Sequence, residues 1–203
     1  MFMSDRPIMK TMMTYPYVTW DNWLTEENLI KIEQYCVTQP AESAPIVQGG
    51  DPNSIEQDYR KSNVSFIRSN SENKWIFDFL IQIASHINNT YYDYELAGFE
   101  YFQYTEYNGK DSKYDYHTDM IFGDQVSPNM LLPRKLSFSL ILSNPSEYTG
   151  GEFEILTSKS PVAVPQTRGR VIAFPSFVMH RVTPLISGTR KSIVFWALGP
   201  KFK

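Results

Sequence analysis

A chain of 203 residues with 19 Lys and Arg against 22 Asp and Glu carries a formal net charge of −3, so it lacks the positive surplus that holds a polyanion, and no nucleic-acid partner is expected. With 42% hydrophobic content the chain supports one sizeable core, which predicts a single domain over residues 1–203. The only cysteine, Cys36, excludes an intrachain disulfide; a reducing, cytoplasmic setting is the expectation, with Cys36 itself a small core residue.

The opening stretch MFMSDRPIMKTMMTYPYV interrupts its apolar residues with Asp5, Arg6 and Lys10, giving neither the core of a signal peptide nor a small-residue cleavage site. No run of about 20 apolar residues follows anywhere, so no membrane span is expected. In TWDNWLTEENLIKIEQYC, Thr25 precedes Glu26 and Glu27, and Leu29, Ile30, Ile32, Tyr35 and Cys36 recur at helical spacing, predicting a capped amphipathic helix. VTQPAESAPIVQGGDPNSIEQD reads as a long loop, and NVSFI as a short strand. A second helix is predicted from about Glu72 to Asn88, where Trp75, Phe79, Ile83 and Ile87 fall four apart, with His86 an ordinary surface or helix-end histidine.

Beyond YYDYELAG the helical period disappears. Short β-branched and aromatic runs take over: FEYFQYTEY, YDYHTDM, KLSFSLILS, GEFEIL, VAVPQ, RVIAF, HRVTPL and KSIVFWAL, with NPSEYTGGE, QTRGR and LISGTR as turns. About eight short strands of this kind predict a closed sandwich or jelly roll. KLSFSLILS sets Leu136, Phe138, Leu140 and Leu142 against Ser137, Ser139, Ile141 and Ser143, the pattern of a strand with one face in a core and one on a cavity.

Chemistry concentrates in YDYHTDMIF. Strand side chains repeat with period two, so His117 and Asp119 point the same way, roughly 7 Å apart at the backbone. Alone, an H-x-D is weak evidence. His180, in FPSFVMHRV, supplies a third candidate, and two imidazoles with one carboxylate form the set that suits non-haem Fe(II) while leaving open coordination positions; zinc accepts the same ligands. Arg190 begins RKSIVFWAL, where Arg190, Ser192, Val194 and Trp196 share a face. If that face looks inward, the guanidinium is buried, and a buried cation without an anion costs several kcal/mol, so a carboxylate should meet it. The planar fork of arginine matches a carboxylate, and Ser192 offers a further hydrogen bond.

These residues resemble the Fe(II)/2-oxoglutarate-dependent dioxygenases, particularly the prolyl 4-hydroxylase-like, PKHD-type branch, whose pattern is H-x-D, a distal His and a basic residue about ten positions on, often as R-x-S. The matches are His117, Asp119, His180, Arg190 and Ser192. YFQYTEYNGKDSKYDYHTD, RKLSFSLILSNPSEYTGGEFEI and GRVIAFPSFVMHRVTPLISGTRKSIVFWA extend the resemblance over about residues 99 to 198, and YVTWDNWLTEENLIKIEQYC is similar to the helix that opens many members. Two departures stand out: Lys110, Asp111 and Lys113 lengthen the loop ahead of the H-x-D, and Arg190 stands where the animal collagen hydroxylases use Lys.

The resemblance implies an α+β fold: a double-stranded β-helix (jelly-roll, cupin-like) core over about residues 95–198, with helices from about residues 20–90 packed on one sheet. It implies Fe(II) on His117, Asp119 and His180, 2-oxoglutarate as co-substrate with its far carboxylate on Arg190 and Ser192, dioxygen, and ascorbate as an accessory. Tyr107 takes the position that hydrogen-bonds the co-substrate; Tyr114, three before His117, is the alternative for that role or a substrate contact. The implied reaction hydroxylates a C–H bond of a prolyl residue in a peptide or protein, or of a related amino-acid side chain. The alternatives are the same chemistry on a free small molecule or a lipid, or a non-catalytic cupin-like module that binds a metal or ligand. Arg60 either lines the entrance or is a solvated surface residue, and FGDQVSPNMLLPRK is either a lid or a plain strand connection. Ligation by neutral imidazoles predicts metal binding that weakens as pH falls through the histidine range, near 6.5.

Overall fold

The computed structural model describes residues 15–43, 59–120 and 132–201. The N-terminal stretch before residue 15, most of the long loop after the first helix, and the greater part of FGDQVSPNMLLPRK lie outside the described residues, and the lid expectation with them.

The chain opens with β1 (Val18–Trp20) and α1 (Glu26–Val37). The Thr25 hydroxyl accepts the Asn28 amide at 3.3 Å, and Glu26 and Glu27 occupy the electropositive first turn, so the helix begins where the cap residues predict. Next come β2 (Glu42–Ser43), β3 (Arg60–Lys61), β4 (Asn63–Ile67) and α2 (Lys74–Ile87), which runs on into a π-helical turn, Asn88–Tyr92. The buried stripe of α2 is Ile76, Phe77, Leu80, Ile83, Ala84 and Ile87, with Trp75 and Phe79 on its flank and only partly covered. His86 lies in the last turn of α2, as expected of a helix-end residue, and its ring packs 4.6 Å from Trp20 and 5.7 Å from Trp23.

The remaining chain is strand: β5 (Gly98–Asn108), β6 (Lys113–His117), β7 (Arg134–Ile141), β8 (Tyr148–Gly150), β9 (Phe153–Leu156), β10 (Val162–Val164), β11 (Val171–Pro175), β12 (Met179–Val182) and β13 (Leu185–Leu198). All pairings are antiparallel. One sheet runs β1-β11-β7-β13-β5-β4-β2, with β8 also on β13; the other runs β10-β9-β12-β6-β3. The expected jelly roll with helices on one sheet is what the chain adopts.

Period-two alternation on the larger sheet separates two cores. Phe102, Tyr104, Leu136, Phe138, Leu140, Val171, Ala173, Ile193 and Phe195 face α1 and α2. Tyr107, Ile141, Ile172 and Phe174 face Phe153, Ile155 and Val182 of the smaller sheet. The serines of KLSFSLILS therefore lie between the sheets, as their alternation predicts.

Two features differ from the sequence reading. The segment between residues 15 and 70 also supplies four strands, of which only NVSFI is anticipated, because two- and three-residue edge strands are too short to show a period. LISGTR is not a turn: it is the first half of β13, paired with β8. Gly188 serves close backbone approach there, since a Cβ at its φ of +83° would stand 2.1 Å from the Glu147 carbonyl oxygen. Cys36 is buried in the helix-side core, as expected, and burial pushes its thiol pKa up. Among the described residues no helix is long and apolar enough to cross a membrane.

Candidate active site

His117 ends β6 and His180 sits on β12, and the two are direct cross-strand partners. Their rings lie 4.2 Å apart. The chain leaves the strand after His117, and the backbone amides of Asp119 and Met120 both donate to the Ser176 carbonyl at 2.9 Å. The sequence reading kept Asp119 on the strand with His117; the structure hangs it from the end of β11 instead. The convergence survives: His117 Nε2 is 3.8 Å from Asp119 Oδ1, His180 Nε2 is 3.6 Å from Oδ2, and one ligand atom from each residue lies within 4.8 Å of the others.

Both imidazoles are oriented from behind. His117 Nδ1 is 2.7 Å from the Asp115 carbonyl, and His180 Nδ1 is 3.0 Å from that of Val178. A carbonyl only accepts, so each Nδ1 carries the proton and each Nε2 presents a lone pair to the shared space. Burial, followed by the neighbouring His180, holds the His117 pKa well below its ordinary value, which keeps it neutral. Proton competition at His117 therefore begins at lower pH than the unperturbed value predicts. Burial alone would raise Asp119, but His180, His117, Arg134 and a hydrogen bond from Ser137 outweigh it and hold the carboxyl below the usual range. Asp119 Oδ2 is buried with no hydrogen-bond partner. Two imidazole nitrogens and an orphaned carboxylate oxygen have the donor chemistry that a divalent cation takes. Phe153 and Phe174 wall the His180 ring at 5.6 and 4.5 Å.

Arg190 is only 1% exposed, on the inter-sheet face of β13, opposite Tyr107 of β5. Its Nε donates to Gln166 Oε1 at 2.7 Å, its Nη1 to Ser192 Oγ at 3.2 Å, and Tyr148 adds a further hydrogen bond. Nη2 is buried and unpartnered, and among the described residues no carboxylate pairs with the guanidinium. The Tyr107 ring is 5.4 Å from Arg190 Cζ, and the tyrosine lies within electrostatic reach of Asp119 as well, so the guanidinium and the histidine-carboxylate cluster both face the space between the sheets.

Tyr114 stacks on His117 at 3.6 Å, with the Arg60 guanidinium 4.3 Å over its other side. Arg60 is buried, which overturns a solvated surface role and agrees with placement at the cavity. Every residue singled out from sequence is therefore brought together: Tyr107 beside Arg190, Tyr114 beside His117.

Several neighbours escape a reading of motifs. Gln166 reaches Arg190 from the loop after β10 and Tyr148 from β8, and Ser137 and Ser176, whose hydroxyls are 2.9 Å apart, support Asp119. Trp196 is a cross-strand neighbour of Ser137, with its Nε1 buried and unpartnered and Arg134 Cζ 3.7 Å over its ring. The serine alternation was the one available signal, and it pointed to a polar cavity without naming its occupant.

Fold and site together define a jelly-roll protein whose two histidines and one carboxylate are close enough together to hold a metal ion. Residues 102–198, close to half the chain, match the sequence model described as the 2OG-Fe(II) oxygenase superfamily. A PKHD-type hydroxylase of Shewanella baltica is 30% identical over 93 residues, 46% of this chain and 40% of that protein. One from Hyphomonas neptunium is 46% identical over 61 residues, 30% of this chain and 27% of the relative. The chain thus matches about 40% or less of the length of these curated relatives. Among solved structures, a Pseudomonas putida prolyl-4-hydroxylase superposes with a TM-score of 0.71 at 18% identity, covering 93% of this chain and 95% of that one. A viral collagen prolyl hydroxylase from Paramecium Bursaria Chlorella virus-1 gives 0.69 at 18% identity, covering 93% and 99%. A prolyl hydroxylase from Trichoplax adhaerens, in complex with a hypoxia inducible factor peptide fragment, gives 0.67 at 17%, covering 90% and 83%. These likenesses establish the fold.

Proposed function

We propose that this chain is a single Fe(II)- and 2-oxoglutarate-dependent dioxygenase domain that hydroxylates a prolyl residue in a peptide, or a related amino-acid side chain. The observation that carries the reading is the buried Arg190 fork with a free Nη2, facing the same space between the sheets as the His117, Asp119 and His180 cluster. A module that only binds a metal has no use for a second, oppositely charged receptor.

The residues fit the groups the family implies. His117, Asp119 and His180 would hold the iron, and Arg190 with Ser192 would take the distal carboxylate of the oxo acid. When bound, iron and 2-oxoglutarate supply dioxygen activation, the oxo acid ending as succinate and CO₂ while a C–H bond becomes C–OH. The protein supplies position and charge. The Asp115 and Val178 carbonyls keep both Nε2 lone pairs aimed inward, the two histidines and Arg134, with a hydrogen bond from Ser137, keep Asp119 ionised, and Phe153 and Phe174 exclude water from the ligand cluster. Tyr107 offers its hydroxyl to the co-substrate from beside Arg190; Tyr114 and Arg60 lie on the metal side, toward the substrate. Ascorbate belongs to the reading as the reductant that keeps the metal ferrous.

The prolyl assignment rests on the prolyl hydroxylases among the structural neighbours and on a row of rings at the cavity. Phe66, which is exposed, packs 5.2 Å from Tyr101, and Tyr101 packs 5.8 Å from the buried Trp196. Aromatic rows suit proline-rich extended peptides.

Anaerobic titration of the Fe(II) protein with 2-oxoglutarate tests the chemistry through its visible charge-transfer band; absence of the band rejects it. Succinate formation across peptides, free metabolites and lipids then assigns the substrate, and turnover of a metabolite or lipid alone replaces the prolyl reading.

A further inference from the structure

Arginine offers a carboxylate two edges: side-on through Nε and Nη2, or end-on through Nη1 and Nη2. In Arg190 the side-on edge is already half taken, because Nε donates to Gln166 Oε1 at 2.7 Å. The amide of Gln166 has only one workable orientation. Its Nε2 donates to the Gly151 carbonyl at 3.0 Å, and exchanging its oxygen and nitrogen would set donor against donor at Arg190 and acceptor against acceptor at Gly151.

The turn that receives this amide is built against the same arginine. Gly151 has a φ of +67°, and a Cβ there would stand 2.6 Å from Leu185 Cδ1 and 3.3 Å from Arg190 Cδ. One Nη1 hydrogen goes to Ser192 Oγ at 3.2 Å and Tyr148 takes a further hydrogen bond from the guanidinium, which leaves Nη2 buried and unpartnered. Gln166 is neutral, so it fixes the guanidinium without cancelling its charge; a carboxylate at the same place would complete an ion pair and leave nothing for a ligand.

We infer that Gln166 is a positioning residue for the carboxylate receptor: it occupies Nε of Arg190, turns the Nη1 and Nη2 edge toward the cavity, and makes the site select the distal carboxylate of a 2-oxo diacid in end-on geometry. This rests on the proposed function, since it takes the diacid to be 2-oxoglutarate.

The test is calorimetric binding of 2-oxoglutarate and of oxalate, which chelates metal but has no distal carboxylate, to the Mn(II)-loaded full chain. Gln166→Glu is expected to weaken 2-oxoglutarate about 100-fold through charge cancellation, while oxalate stays within about twofold and the melting temperature does not fall. Gln166→Ala, which frees Nε but loses the clamp, is expected to weaken 2-oxoglutarate about tenfold with oxalate again unchanged. Binding of 2-oxoglutarate by Gln166→Glu within threefold of the parent overturns the inference, as does equal loss of oxalate, because the effect would not then belong to the distal carboxylate. A parent protein that binds oxalate but not 2-oxoglutarate instead sinks the proposed function itself.

Discussion

His117 and His180 face each other directly across the β6 and β12 pairing, with ring centroids 4.2 Å apart. Burial, followed by the facing His180 ring, holds the His117 pKa well below its ordinary value. The backbone carbonyls behind them fix the tautomer that turns both lone pairs toward Asp119.

Removing the carboxylate should separate metal binding from folding. Asp119→Ala is expected to remove the rise in melting temperature that saturating Mn(II) gives the parent protein, and to lower succinate formation by at least about 1,000-fold. Thermal denaturation with and without the metal, alongside a coupled succinate assay, measures both effects.

Arg190 carries an unneutralised charge in the interior, which favours the ligand and not the empty fold. Arg190→Met should therefore weaken 2-oxoglutarate binding about 100-fold or more while leaving the stability of the unliganded protein unchanged or raised. Calorimetry and urea denaturation of the same preparation check the two halves; a large loss of stability would show that the guanidinium is structural.

Helix α1 is tied to the larger sheet by Glu33, which receives Lys191 Nζ at 2.8 Å and Arg168 Nη1 at 3.1 Å. Burial opposes the charge on Glu33, but the two cations outweigh it, and its folded pKa lies below the ordinary glutamate value. A depressed folded pKa means stability that is present above the unfolded pKa, near 4.3, and is lost as pH falls through the folded value. Glu33→Gln should therefore cost about 1 kcal/mol at pH 7, after allowance for solvent screening, and progressively less as pH falls through the folded pKa. Urea midpoints across that range should show the two proteins converging in acid.

Gly188 permits β13 to run beside β8 without a break. Gly188→Ala places a Cβ 2.1 Å from the Glu147 carbonyl oxygen at a positive φ, and should destabilise the fold by about 2–4 kcal/mol. Chemical denaturation gives the value, and a cost below about 1 kcal/mol would mean that the β8 strand simply moves away.

Much of the fold is legible because periodicity reports which way a side chain faces. Thr25 with Glu26 and Glu27 marks the start of α1, and the Leu136 to Ser143 alternation separates the helix-side core from the cavity. LISGTR misleads for a reason within the same physics: a glycine can relieve a turn or admit a neighbouring backbone, and only the presence of β8 shows that Gly188 does the second.

The two histidines, the carboxylate, the distant arginine and the family they resemble were legible in sequence alone, because residue type and the order of H-x-D, distal His and basic residue mark the candidate donors. Tertiary structure decided the rest. It hangs Asp119 from Ser176, lays Tyr114 between His117 and Arg60, and brings Gln166 onto the Nε of Arg190 from 24 residues away. Such contacts join segments with no shared period, so they exist only once the two sheets have closed and excluded water from the groups between them.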